Sequence, residues 1–191
     1  MRSFRSIAVY CGSSNAVDPA FMSAAREVGT FLARQGVTVV YGGGNVGTMG
    51  AVADGALESG GRVIGVITEK LQDLEVGHIG LSELHIVETM SQRKNRMIEL
   101  SDAFIALPGG FGTLEEFAET ISLAVLNYHD KPTGLLNLRG FYDHLFSFIE
   151  HAQIEGFIRR GQEKSVVQAA TIDTLYERLQ KAQIAAIDDW L

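Results

Sequence analysis

A chain of 191 residues with 16 Lys and Arg against 23 Asp and Glu carries a net charge of −7. That balance argues against a general nucleic-acid or anionic-membrane surface, so any phosphate must be held locally. One cysteine, Cys11, excludes an internal disulfide, the Cys and His residues lack metal-ligand spacing, and no apolar run reaches the length of a membrane span.

The length predicts one domain over 1–191, and Met1-Arg2-Ser3-Phe4-Arg5 enters an apolar strand at once, which leaves no signal peptide and sets a cytoplasmic location as the expectation. In chain order, residues 6–11 read as a strand, followed by a helix that Asp18 caps and Pro19 starts, with Phe21, Ala25, Val28 and Leu32 on one face. A strand at 37–41 precedes a helix at 47–59, and 62–67 is the next strand. Residues 68–82 read as a longer polar loop. A short strand at 84–87 leads to a helix at 89–101, a strand at 103–107 to a helix at 113–127, and a strand at 132–136 to a helix at 141–155. A strand at 165–168 and a helix at 172–187 complete the series. Repeated β-α units with apolar strands predict an α/β protein, a Rossmann-like doubly wound parallel sheet in three α/β/α layers.

Two glycine loops follow strands. Pro108-Gly109-Gly110-Phe111-Gly112-Thr113-Leu114-Glu115-Glu116 leaves the apolar run 103–107 and enters a helix, a place where free N–H groups and the positive dipole end favour phosphate. Glu116 stands one turn inside that helix. Gly42-Gly43-Gly44-Asn45-Val46-Gly47 repeats the arrangement after 37–41, and a third strand end, at Cys11-Gly12-Ser13-Ser14, offers further hydroxyl and N–H donors. Loops leaving neighbouring parallel strands converge on one crevice, so Ser13, Gly43, Gly44, Gly109 and Gly110 are candidate ligand contacts.

Other readings of the same residues stand beside these. Thr113-x-x-Glu116 is a capping box, so Glu116 is either a helix cap or a catalytic acid. Arg93 and Lys94, next to Gln92, Asn95 and Arg96, also suit a solvated helix face. Gly42-x-Gly44-x-x-Gly47 with Glu69 downstream matches a dinucleotide fingerprint, and neither loop has the Gly-Lys-Ser/Thr ending of a P-loop. His78, His85, His129, His144 and His151 read as surface or satisfied core.

The segments 42–47, Arg93-Lys94, 101–116 and His129-Asp130-Lys131-Pro132 together resemble the LONELY GUY (LOG) family of cytokinin riboside 5′-monophosphate phosphoribohydrolases over about residues 6–160. The resemblance implies a homodimeric Rossmann-like hydrolase that splits the N-glycosidic bond of AMP or N6-prenylated AMP into free base and ribose 5-phosphate, without cofactor or metal. It also implies a site made of Arg93 and Lys94, a phosphate loop and helix start from Gly110 through Phe111, Gly112, Thr113, Leu114 and Glu115 to Glu116, and the substrate contacts Glu75 and Ser122. Ser91 stands where His commonly precedes the Arg-Lys pair, and Thr48 where Leu is frequent. Members often carry the label lysine decarboxylase, which a chain without the larger scaffold and Schiff-base Lys of a pyridoxal-phosphate enzyme supports little.

Breaking a ribosyl C–N bond builds positive charge at C1′ and negative charge on the departing base. Glu116 is therefore expected to stabilise the cation and to position or deprotonate water, with Arg93 orienting substrate or neutralising the leaving group. Glu115 points about 100° away on the helix and does not share that role. A non-catalytic nucleotide carrier or sensor and a nicotinamide-dependent oxidoreductase are the alternatives. Apolar residues on more than one face of the helices 89–101 and 113–127 (Met90, Met97, Ile98, Leu100; Phe117, Ile121, Leu123, Val125, Leu126) predict a homodimer.

Overall fold

Strands that are apolar on both faces must be covered on both. In the computed structural model, which describes residues 1–75, 77–159 and 161–184 without the side chains of Leu74, Glu75 and Glu163, the strands form one sheet. These are β1 (Ser6–Tyr10), β2 (Thr38–Tyr41), β3 (Val63–Thr68), β4 (Glu83–Val87), β5 (Ala103–Ala106), β6 (Thr133–Leu136) and β7 (Val166–Ala169), in the order β4-β3-β2-β1-β5-β6-β7. Every neighbouring pair is parallel.

Alternation along the strands sorts the core into two layers. Ile7, Val9, Val39, Ile105 and Leu136 pack with residues of α1 (Pro19–Arg34), α2 (Gly47–Glu58) and α7 (Ile172–Lys181). Ala8, Tyr10, Val40, Phe104 and Leu135 pack on the other face with Met97 of α4 (Met90–Glu99), Phe117 of α5 (Phe111–Val125) and Leu145 of α6 (Asp143–Ile154). The winding direction reverses between β1 and β5, so their carboxyl ends open the crevice in which such sheets bind ligands.

Three expectations are corrected. The polar loop at 68–82 contains a helix, α3 (Glu69–Glu75), which begins where the Thr68 hydroxyl accepts from the Leu71 N–H at 3.3 Å. At two turns it is too short to show a helical period in the sequence. Second, α5 begins at Phe111 with Gly110 as its N-cap, so Thr113 is already the third helical residue, and no side chain caps the start. The Thr113-Glu116 capping box does not exist: the Thr113 hydroxyl is buried against Gly109 instead, where a Cβ would meet it at 2.1 Å. Third, α7 ends at Lys181, before an extended Ala182. The expected positions 185–187 lie outside the described residues.

Candidate active site

The cleft at the β1/β5 switch, about 110 Å³, is lined by Tyr10, Cys11 and Ser13 from the end of β1, Gly42 from β2, Met49 from α2, Arg93 and Met97 from α4, and Gly112, Thr113 and Glu116 from α5. Five separate chain segments meet here because each leaves the carboxyl end of a central strand or packs beside one.

Arg93 does not lie on a solvated face. It is 7% exposed, and α4 is oriented by a true capping box in which Thr89 accepts from the Gln92 backbone while the Gln92 side chain accepts from Thr89 N–H. That box also answers the departure at Ser91, since the helix start is satisfied without it. The guanidinium donates from Nε to the Val66 carbonyl at 3.0 Å and from Nη2 to the Gly42 carbonyl at 3.3 Å, while Nη1 faces Glu116 Oε1 at 3.6 Å. Gly42 must be glycine for this: a Cβ there would stand 2.1 Å from Nη2.

Glu116 is 7% exposed, and burial, only partly offset by Arg93 and Lys94 and reinforced by Glu115 and Glu119, raises its pKa to about 7. A carboxylate poised near neutrality is suited to taking a proton in a reaction. Two other groups of the cleft are kept neutral. Burial, with the Glu116 charge as a lesser cause, pushes the Cys11 thiol up to about 12 and the Tyr10 phenol well above its ordinary value. Cys11 is thus no thiolate nucleophile.

In front of Glu116 lies the start of α5. Its first N–H groups have no acceptor within the helix, and the N-cap Gly110 has no side chain to serve them. At Gly110 and Gly112 a Cβ would meet nothing within 4 Å, so the backbone is open to an approaching anion. Phe111 is 93% exposed and Leu114 half-buried beside this start.

The remaining candidates are placed differently. Lys94 makes ion pairs with Glu115 and Glu119, which bridges α4 to α5 at the rim and, chiefly through the Glu115 bond, raises its pKa. A lysine so held is a cation, the wrong state for a Schiff base. Gly43 has φ +78 and a Cβ direction toward Ile67 at 3.0 Å, and Gly44 pairs with Gly77. The Gly47 N–H, which a dinucleotide fingerprint would offer to a pyrophosphate, is taken by Asn15 Oδ1 at 2.8 Å. Thr48 ties this loop to β1, its hydroxyl accepting from Gly12 N–H at 2.9 Å and donating to the Gly12 carbonyl at 3.0 Å. Ser122 donates to the Ala118 carbonyl and faces an apolar groove between α5 and α6, away from the Glu116 cleft. Glu75 is the last residue of α3, and its side chain lies outside the described residues. Among the described residues no cluster of three His, Cys, Asp or Glu could hold a metal ion, and no helix is long and apolar enough to cross a membrane. Tyr10, Gly42, Met49 and Met97 line the cleft without the sequence having marked them as substrate contacts; Gly42 stood out only within the glycine run and its fingerprint, and Met97 only as part of a predicted dimer face.

A family profile described as "Possible lysine decarboxylase" matches residues 49–179. A probable cytokinin riboside 5′-monophosphate phosphoribohydrolase of Oryza sativa subsp. japonica is 46% identical over 93% of this chain and 73% of its own length. A protein of Rhodococcoides fascians with the same activity in its name is 45% identical over 88% of this chain and 86% of its own. The chain belongs to the LOG family. The solved structure of a molybdenum cofactor binding protein from Rippkaea orientalis superposes with a TM-score of 0.70, at 25% identity over 95% of this chain and 98% of that one.

Proposed function

We propose that this chain is a nucleoside 5′-monophosphate phosphoribohydrolase that hydrolyses the N-glycosidic bond of AMP or N6-prenylated AMP, of the cytokinin type, to free base and ribose 5-phosphate in the cytoplasm. The observation that carries the reading is a single cleft holding a buried carboxylate of pKa about 7, a buried guanidinium 3.6 Å from it, and an uncapped helix start. Family relatives bearing this activity in their names support it.

The 5′-phosphate binds the free N–H groups of Gly110 to Thr113, which turns the ribose toward Glu116. As the C1′–N bond lengthens, its electron pair leaves with the base and C1′ becomes cationic. The Glu116 carboxylate faces that charge and takes a proton from the water whose oxygen bonds to C1′. Arg93, braced by two backbone carbonyls, orients substrate and neutralises charge on the leaving base, which takes a proton from water as it departs, and Glu116 gives its proton back to solvent to complete the cycle. Tyr10 and Cys11, both neutral, keep the floor of the cleft free of competing anions.

A purely carrying function on the same fold is the second reading, favoured by the likeness to the cofactor-binding protein. Against it stands Glu116, a buried carboxyl beside the anion site that a phosphate carrier has no use for. Incubation of the pure protein with AMP, followed by chromatography for adenine, separates the two: release supports the hydrolase, and stoichiometric binding without release supports the carrier.

The assembly we propose is a homodimer formed on the groove between α5 and α6, about 420 Å³ and lined by Leu114, Ile121, Val125, Leu145, Phe148 and Ile149. Phe148 is 64% exposed there, and Ser122 opens onto the same face. Of the apolar residues that predicted a dimer face on the helices 89–101 and 113–127, Met97 is instead buried against the sheet, while Phe117, buried in the same core, also lines this groove.

A further inference from the structure

A second polar cluster, outside the cleft, joins elements far apart in sequence. Asp54 of α2 is bonded to His78 Nε2 at 3.0 Å and pairs with Arg26 of α1 at 3.1 Å. The His78 imidazole is 7% exposed, and its Nδ1 is buried without a hydrogen-bond partner among the described residues. With a hydrogen on Nε2 the ring donates to Asp54, the acceptor that orients it. The backbone beside the ring lies across the glycine loop: His78 N–H donates to the Gly43 carbonyl at 3.0 Å, and Gly77 bridges to Gly44. The preceding carbonyl, that of Gly42, is the one that receives Arg93 Nη2.

Three consecutive glycines have no side chains with which to hold a conformation, and glycine loses more freedom on ordering than any other residue. Their geometry has to come from neighbours. We infer that His78 is a positioning residue: anchored on Asp54, it presses residues 77–78 against the loop 42–44 and so fixes the carbonyl that seats Arg93 beside Glu116. The inference rests on the reading of the cleft as an N-glycosidase site. A space-filling role for the ring requires its volume only, whereas the clamp requires its N–H.

His78→Phe keeps the volume and removes the donor, and His78→Gln keeps an N–H near the Nε2 position. With AMP as substrate, His78→Phe is expected to lower kcat/KM about 10-fold or more, the scale of a modest misplacement of a catalytic group. It is also expected to move the acid limb of the pH profile upward, because Arg93 holds the Glu116 pKa down and a loosened guanidinium does so less. The other groups facing Glu116 are Lys94 on α4, Glu115 and Glu119 on α5, Tyr10 at the end of β1 and Cys11 just after it. None of these is in the 42–44 or 77–78 segments, so the shift reports on Arg93. His78→Gln is expected to restore both readouts toward wild type, and Arg26→Gln, which removes the other partner of Asp54, to leave them near wild type.

A ¹³C NMR titration of the Glu116 carboxyl reads the same shift without turnover. If His78→Phe fails to fold, Asp54→Ala removes the anchor from its exposed side and is compared with Arg26→Gln. A folded His78→Phe or Asp54→Ala protein with an unmoved Glu116 titration overturns the clamp. A wild-type protein that releases no base, but whose Glu116 titration moves with His78→Phe, removes the N-glycosidase reading and supports the clamp.

Discussion

Arg93 Nη1 and Glu116 Oε1 stand 3.6 Å apart, both side chains under a tenth exposed, attracting each other across a gap wider than a hydrogen bond. The guanidinium does not win: burial raises the carboxyl to about 7 in spite of it. A pair whose desolvation exceeds its attraction is held in place by the rest of the fold, here by the Val66 and Gly42 carbonyls on one side and the α5 backbone on the other. The unspent interaction is available to a substrate that enters the gap.

Glu116→Gln retains shape and loses both charge and basicity. Adenine release from AMP is expected to fall by about 10²-fold or more while AMP still binds, the loss typical of a positioned acid–base group. In the wild-type protein kcat/KM is expected to rise with pH through about 7, because the ionised carboxylate is the working form. Chromatographic rates and calorimetric binding check both, and near-normal release by folded Glu116→Gln would return the residue to a structural role.

The same substitution is expected to stabilise the protein at alkaline pH. A free glutamate titrates near 4.5 and this one near 7, so between those values the folded state binds more protons than the unfolded state. Stability contributed through this group therefore falls as pH rises across that window. At pH 8 Glu116→Gln should be more stable than wild type by up to about 3 kcal/mol, and at pH 4 the difference should vanish. Urea denaturation at the two pH values measures it, and a variant less stable at pH 8 would refute the account of burial.

The glycines of the two loops separate by where a side chain would go. Gly110→Val projects into open space before the helix start and is expected to raise KM for AMP with little change in melting temperature. Gly43→Ala places a Cβ at φ +78 against Ile67 and is expected to cost about 1–2 kcal/mol of stability. Equal loss of stability in both, with unchanged KM in Gly110→Val, would mean that the second loop serves only as a turn.

Phe148→Glu puts a charge in the groove between α5 and α6 and is expected to turn a dimer into a monomer with reduced activity, read by light scattering at micromolar concentration. A wild-type monomer with full activity would contradict the proposed assembly.

Strand positions, the doubly wound class and the glycine loop before α5 were legible in the sequence because they depend on local periodicity and on residues with special backbone freedom. Glu116 was legible as an acid suited to a ribosyl cation, but Thr113-x-x-Glu116 obeys the capping-box pattern equally well, and only the start of α5 at Phe111, with Thr113 packed against Gly109, removed the capping reading. Arg93 looked like one cation among polar neighbours, since nothing local to α4 announces carbonyls supplied by Val66 of β3 and by Gly42 just after β2, 27 and 51 residues away. His78 and Asp54 carried no signal at all, being paired through a chain crossing whose register the sequence does not display. Pattern reports what a residue does to its own backbone. Burial, ion pairing and the pKa of Glu116 come from groups brought together across the sheet, and those only the tertiary structure decided.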